Sequence, residues 1–361
     1  MPLFLMRHLV LLFCLLGATC LAAPVGVDGL TPEDVAKAVS ALKDNFVRPE
    51  ALTDAAMAQA TLQGLLDRLA PGASLVTGTG APEPASPFYS EAYDGKTGYL
   101  RLGELTSANI AKATQALQEW SGKSLGAVVL DLRGTPPSSD FDAGADLARL
   151  FCAKGTELFS LTAGKGRVLK GGAANSADAQ TRTFSGEADP VFKGILVVLV
   201  DGETAEAPEA VAACLQKCAK ALIVGDKTAG RAFQYLDFPL DGSVLRVAAA
   251  QVILPDGKEL GENGLTPDIN VALGAARKQE VMQSITAKGI VSVIEEHDRA
   301  HLNEAALVAG SNPEVDEMEA EQGGKKPAEP LIDRQLQRAL DLVTSISIYQ
   351  AKGEPSPTTG E

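Results

Sequence analysis

The chain has 361 residues, 45% apolar, 22% charged and 5% aromatic, which is enough apolar material for a sizeable core and excludes a mini-protein, a collagen and a disordered tail. Its formal net charge is −14, and no long basic run interrupts the acidic balance, which argues against nucleic acid as a partner.

At the N-terminus, Arg7 and His8 precede the apolar run Leu9 to Leu16, and small residues follow up to Ala23. This pattern predicts a secretory signal peptide over residues 1–22 and an exported product, periplasmic or extracellular. The run is too short to span a bilayer, and no later stretch reaches the length a transmembrane helix requires. Acylation at Cys20 is disfavoured because Gly17-Ala18-Thr19 does not form a leucine-led lipoprotein box.

Thr31-Pro32-Glu33-Asp34 reads as a helix start, with Thr31 as N-cap and Asp34 closing a capping box. Val35, Val39, Leu42 and Phe46 then share one face, and a second helix is expected from Leu52 to Leu69. Residues 24–77 are expected to form a helical arm and residues 78–97, rich in Gly, Pro and Ala, a linker. From Gly98 the period changes. Strands are expected at Gly98–Leu102, Ala127–Leu132, Ile195–Val200, Ala221–Val224 and 243–254, with helices at Ser107–Trp120, Ala143–Phe151 and Pro208–Ala219. Strand, helix, strand in succession predicts an α/β core of βαβ units over residues 98–270. Residues 271–350 read as a C-terminal helical region containing an acidic loop at 310–330 and an amphipathic helix from Leu331 to Tyr349, and residues 351–361 as a disordered tail.

Of the five cysteines, Cys14 and Cys20 fall in the leader, leaving Cys152, Cys214 and Cys218. Positions four apart on a helix are poorly placed for a disulfide, so the expected pairing is Cys152 with either Cys214 or Cys218, the alternative being three buried thiols.

Six blocks bring in a resemblance: Gly98-Tyr99-Leu100-Arg101-Leu102, Leu130-Asp131-Leu132-Arg133, Val198-Leu199-Val200, Glu209 to Ala213, Gly225-Asp226-Lys227-Thr228-Ala229-Gly230, and Gly264-Leu265-Thr266-Pro267-Asp268-Ile269. In order and spacing they resemble the C-terminal processing (tail-specific) serine peptidases, exported enzymes that cut near the C-termini of proteins. The resemblance implies a Clp protease/crotonase-like α/β core, here with helical N- and C-terminal additions, and a peptide-binding cleft. Many relatives carry a tail-binding PDZ domain before the core, where this sequence has only the short linker.

The residues carrying that family's chemistry differ. Thr204-Ala205-Glu206-Ala207-Pro208 places Glu206 at the nucleophile position, and no serine lies between Asp201 and Arg231. The family's general-base lysine, 25 residues on, corresponds to Arg231, and its supporting glutamine to Tyr235, with Gln234 adjacent. A serine-lysine pair works because a desolvated lysine sheds its proton near neutrality; a guanidinium does not, and a carboxylate is a weak nucleophile toward an amide. The family's oxyanion turn is matched by Gly134-Thr135-Pro136-Pro137-Ser138, where Pro137 has no N–H to donate, leaving Ala207, after the nucleophile position, as the remaining donor. Glu206 near a helix N-terminus and Arg231 opposite are expected to form an ion pair in the former dyad site. Fallback catalytic groups are Thr204 as nucleophile and Lys227 as base.

Three weaker patterns are set aside. His297 and His301 have zinc-helix spacing but lack a third imidazole after the leader, Ser40 and Lys43 sit inside an amphipathic helix, and Gly164 to Gly172 lacks the strand-loop-helix setting of a nucleotide site. No metal or cofactor is expected. The leading expectation is a catalytically inactive homologue of the serine peptidases that binds peptide or protein segments through the former cleft. The alternatives are an active serine-type endopeptidase with an unrecognised nucleophile and a structural envelope protein; a homo-oligomer fits any of the three.

Overall fold

The computed structural model describes residues 29–77, 86–164, 180–295 and 330–353. The expected leader, nearly all of the acidic loop, most of the final tail, the His297/His301 pair and most of the Gly164–Gly172 stretch lie outside these residues; residues 351–353 of the expected disordered tail are instead helical. Residues 1–68 and 69–361 are two compact units.

In the first unit, helix α1 (Pro32–Asn45) starts as its sequence dictates. The Thr31 hydroxyl accepts from the Asp34 N–H, the Asp34 carboxylate accepts from the Thr31 N–H, and Pro32 stands at the first helical position. Helix α2 spans Asp54–Leu69, and Lys43 of α1 reaches Asp54 at 2.9 Å.

The second unit is built on two sheets. The first contains β2 (Tyr89–Tyr93), β3 (Thr97–Arg101), β4 (Ala127–Asp131), β7 (Ile195–Val200), β8 (Leu222–Gly225) and β11 (Ile269–Asn270), in the order β11-β8-β7-β4-β3-β2. All its pairings are parallel except the β2–β3 hairpin. Parallel neighbours require crossovers, and α3 (Ser107–Gly122) joins β3 to β4 while α5 (Glu206–Cys218) joins β7 to β8. The α/β class and its βαβ units are therefore those the sequence predicts.

Strand alternation explains how one sheet serves two cores. Leu100, Leu102, Val128, Leu130, Val198 and Val200 face the cluster that includes α3, α5 and α4 (Phe141–Arg149). Tyr99, Ala127, Val129, Val197 and Leu199 face the opposite cluster, against α6 (Ala275–Lys288) and α7 (Arg334–Gly353). With both faces covered, the strands read as continuous apolar runs. Close packing of α3 depends on Gly98, where an added Cβ would lie 2.3 Å from the Trp120 ring.

The second sheet is antiparallel and departs from the sequence expectation. Residues 243–254, expected within the α/β unit, form β10 (Ser243–Ile253), which pairs with β1 (Ala73–Thr77), β5 (Glu157–Ala163) and β9 (Phe233–Leu240), while β6 (Thr181–Ser185) pairs with β5. Ala73–Thr77 thus leaves the expected helical arm to become an edge strand, and the expected linker contains β2. Short, half-exposed strands such as β1 and β6 carry little periodic signal.

The block Leu130-Asp131-Leu132-Arg133 has a structural role here. Arg133 is wholly buried and donates to both oxygens of Asp131 and of Asp333, and to Gln335. Tyr99 donates to the same Asp131 at 2.7 Å. This network ties the start of α7 to the central strands. Burial opposes the Arg133 charge, but the two carboxylates outweigh it and hold its pKa well above normal.

The described cysteines form one disulfide, Cys152–Cys218, with Cα atoms 5.7 Å apart, leaving Cys214 a buried thiol; the sequence had left both partners open. Among the described residues no helix is long and apolar enough to cross a membrane.

Candidate functional site

The candidate site is the turn from β7 into α5. The Asp201 carboxylate anchors it, accepting from the N–H groups of Glu203 and Thr204 and from the Thr204 hydroxyl, and Lys278 of α6 reaches Asp201 at 2.8 Å and also pairs with Glu203. Glu206, the first residue of α5, has φ +56°, a left-handed conformation uncommon for a side chain of this size. Such strain persists only where surroundings over-determine it. Here a parallel bridge to Ser138 does so: the Ala207 N–H donates to the Ser138 carbonyl at 2.9 Å, and the Glu206 N–H donates to the Arg231 carbonyl at 3.1 Å.

The Glu206 side chain is buried, not presented to solvent. The Ser139 hydroxyl donates to it at 2.9 Å, and Arg246 of β10 pairs with it at 3.1 Å. Arg246 is held in turn by Asp237, its register partner on β9, at 2.9 Å, and lies over the Tyr235 ring. Burial raises the Glu206 pKa despite the opposing Ser139 hydrogen bond and the Arg246 and Arg231 charges.

The expected Glu206–Arg231 ion pair is therefore corrected: Glu206 pairs with Arg246. Arg231 is related to Glu206 by chain spacing, whereas Arg246 arrives from the other sheet. A signal existed, since Arg246 is the one charged residue in the eleven-residue strand Ser243–Ile253.

Arg231 instead is an exposed residue whose side chain makes no ion pair among the described residues. Its backbone is fixed by Glu209, a wholly buried carboxylate one helical turn into α5. Glu209 accepts from the N–H groups of Gly230 and Arg231 at 2.8 and 2.9 Å and from the Thr228 hydroxyl. Gly230 has φ +67°, and an added Cβ would lie 2.7 Å from the Glu262 carbonyl, so glycine is required there. Burial raises the Glu209 pKa against these hydrogen bonds. This role of Glu209 was not visible in the sequence, although its position within a matching block marked it.

The other expected site residues are placed as follows. Tyr235 donates its hydroxyl to the Pro71 carbonyl at 3.0 Å, and burial pushes its pKa to about 12; Gln234 lies on the opposite face of β9 by strand alternation. Thr204 is buried with its hydroxyl committed to Asp201, while Lys227 is exposed. Ala207, expected as a remaining oxyanion donor, has its N–H taken by Ser138, and Pro137 has none to give.

Beside this turn opens a cleft of about 740 Å³. Thr135, Pro136, Pro137 and Arg231 line it on one side, and Met282 and Thr286 of α6 on the other. Glu203, Lys278 and Gln283 also line it, so its surface mixes apolar groups with charged and polar ones, among them the exposed Arg231 guanidinium.

Comparison with known proteins places this core. Residues 96–271 match Peptidase family S41. The chain is 31% identical over 176 residues to the chloroplastic C-terminal processing peptidase of Tetradesmus obliquus, covering 48% of this chain and 35% of that protein. It is 25% identical over 191 residues to the carboxy-terminal processing protease of Bacillus subtilis, covering 53% and 38%. Among solved structures, the photosystem II D1 C-terminal processing protease aligns with a TM-score of 0.41 at 25% identity, over 53% of this chain and 49% of that one.

Residues 96–271 are a peptidase S41 domain, homologous to the carboxyl-terminal processing proteases. The matches span little more than a third of the length of these two relatives.

Proposed function

We propose that the protein is an exported, catalytically inactive member of the carboxyl-terminal processing peptidases that binds peptide segments in the cleft beside the former dyad. The observation that carries this reading is Glu206 at the nucleophile position, its carboxylate held by Arg246 and Ser139. A carboxylate in that position is a poor nucleophile toward an amide, and the guanidinium of Arg231 is no base at neutral pH. The Ala207 N–H is committed to Ser138 and Pro137 has no N–H, so neither of the two expected oxyanion donors is free; losing one such donor alone costs about 100- to 1000-fold in rate. The fallback pair is unsupported, because the Thr204 hydroxyl already donates to Asp201.

Binding chemistry survives where catalysis does not. The open cleft presents Pro136, Pro137 and Met282 to apolar side chains and Arg231 to a peptide carbonyl or carboxylate. This open volume supports a binding function over a structural envelope protein whose cleft is filled by its own side chains.

The test pairs cleavage with binding, using unfolded model proteins and fluorescent tail peptides on the purified chain. The expected result is no cleavage together with saturable peptide binding, weakened about tenfold by Arg231→Gln, the loss of roughly one charged hydrogen bond. Cleavage abolished by Glu206→Ala would overturn the inactive reading, and absence of any peptide binding would overturn the binding one.

A further inference from the structure

The disulfide does not stand alone. Cys214 lies one helical turn before Cys218 on α5, its sulfur 3.6 Å from that of Cys218. The sulfurs of Cys152, Cys214 and Cys218 all lie within 4.8 Å of one another, and no carboxylate or imidazole joins them among the described residues. Cys152 and Cys214 are wholly buried in the apolar cluster that joins α4 and α5, and Cys218 is half-buried at its edge. With thiolate–metal bonds of about 2.3 Å, three sulfurs around one central ion stand about 4 Å apart, so small side-chain shifts close this triangle on an ion.

Charge selects the ion. Three thiolates carry three negative charges into an apolar environment, where uncompensated charge is strongly unfavourable. A monovalent soft ion such as Cu(I) leaves two of those charges, and Zn(II) leaves one and requires a fourth ligand that the cluster does not supply. A trivalent thiophilic centre is three-coordinate and neutral.

We propose that, with the Cys152–Cys218 disulfide reduced, Cys152, Cys214 and Cys218 form a binding site for a trivalent thiophilic metalloid, of which arsenic(III) is the test case. Arsenous acid reacts with three thiols to give the tris-thiolate and three waters. Three S–H and three As–O bonds break, three As–S and three O–H bonds form, and no electron moves. The preceding reduction takes two electrons from a thiol or phosphine, returning one thiol each to Cys152 and Cys218. The disulfide thereby gates the site: the oxidised protein offers only the one buried thiol of Cys214, and a single thiol cannot form the tris-thiolate. Entry is from the side of Cys218, the most exposed of the three.

The experiment uses the full chain carrying Cys14→Ser and Cys20→Ser, so that these three are its only thiols. It is reduced with a phosphine, freed of reductant and titrated with arsenite. Mass spectrometry is expected to show a gain of one arsenic less three hydrogens, with all three thiols becoming unreactive to a thiol reagent together. The oxidised protein is expected to take up none. Cys214→Ala is expected to weaken binding about 100-fold or more, the scale on which a linked contact is lost. Loss of only two thiols per arsenic in the parent chain would overturn the proposal, and that reading does not depend on any core variant folding. Equal uptake by the oxidised form, or zinc held as tightly by the same thiols, would also overturn it.

Discussion

Two of the charge clusters in the second unit do opposite work. Arg133 with Asp131 and Asp333 is wholly buried, and every charge has a partner on a defined element. Glu206 with Arg246 and Asp237 begins in the interior and ends in solvent: the Glu206 side chain is 5% exposed, Arg246 36% and Asp237 50%. The first cluster joins β4 to α7 and presents no face to a ligand. The second lies at the turn into α5, and its pairing holds the Glu206 carboxylate inward while leaving the cleft beside it open. Buried, paired charge therefore marks a structural joint here, and charge reaching outward lies beside the open cleft.

Removing one member from each cluster separates these roles. Arg133→Met strands Asp131 and Asp333 in the core, and such breaks cost about 3–5 kcal/mol. Chemical denaturation is expected to show that loss, together with earlier proteolysis of α7. A cost below about 1 kcal/mol would mean that Arg133 does not anchor the C-terminal helix. The next effect is at Glu209. Glu209→Ala leaves the Gly230 and Arg231 N–H groups without their acceptor, at an expected cost of about 1–3 kcal/mol, and is expected to weaken peptide binding more than global stability loss explains, because Arg231 loses its fixed backbone.

The same contrast shows what a sequence can carry. The parallel sheet was legible because a strand buried on both faces writes a continuous apolar run, as Ile195 to Val200 does, and because capping signals such as Thr31 and Asp34 are local. The antiparallel sheet was not, since β1, β6 and the outer half of β9 are partly exposed and depend on cross-strand pairing, β1 and β9 with β10 and β6 with β5, a relation between segments as distant as Ala73 and Val247. Glu206, Arg231 and Pro137 drew attention only through the resemblance to a family pattern. Their contacts were not legible, because Arg246 is outside every block of that pattern, and because the bond from Ala207 to Ser138 is a property of backbone geometry. Arg133 was likewise visible as part of a block, but its partner Asp333 is 200 residues away.

The smallest expected effect is also the most specific to the site. Glu206 has its pKa raised by burial, so the folded state binds the proton more tightly than the unfolded chain. The stability this supplies is full below the ordinary carboxylate value and declines as pH rises through the raised folded value. Glu206→Gln removes that slope while keeping an acceptor for Arg246. The variant is expected to differ by about 1 kcal/mol or less at neutral pH, yet to show a flatter stability profile from the ordinary carboxylate range upward, measured by denaturant titration at successive pH values. Arg133 offers no such slope, because the carboxylates around it hold its pKa well above normal and it stays charged across the same range. A profile unchanged by Glu206→Gln would mean that its carboxylate is better solvated than its buried position indicates, and that the turn into α5 is more open than the Arg246 pairing makes it.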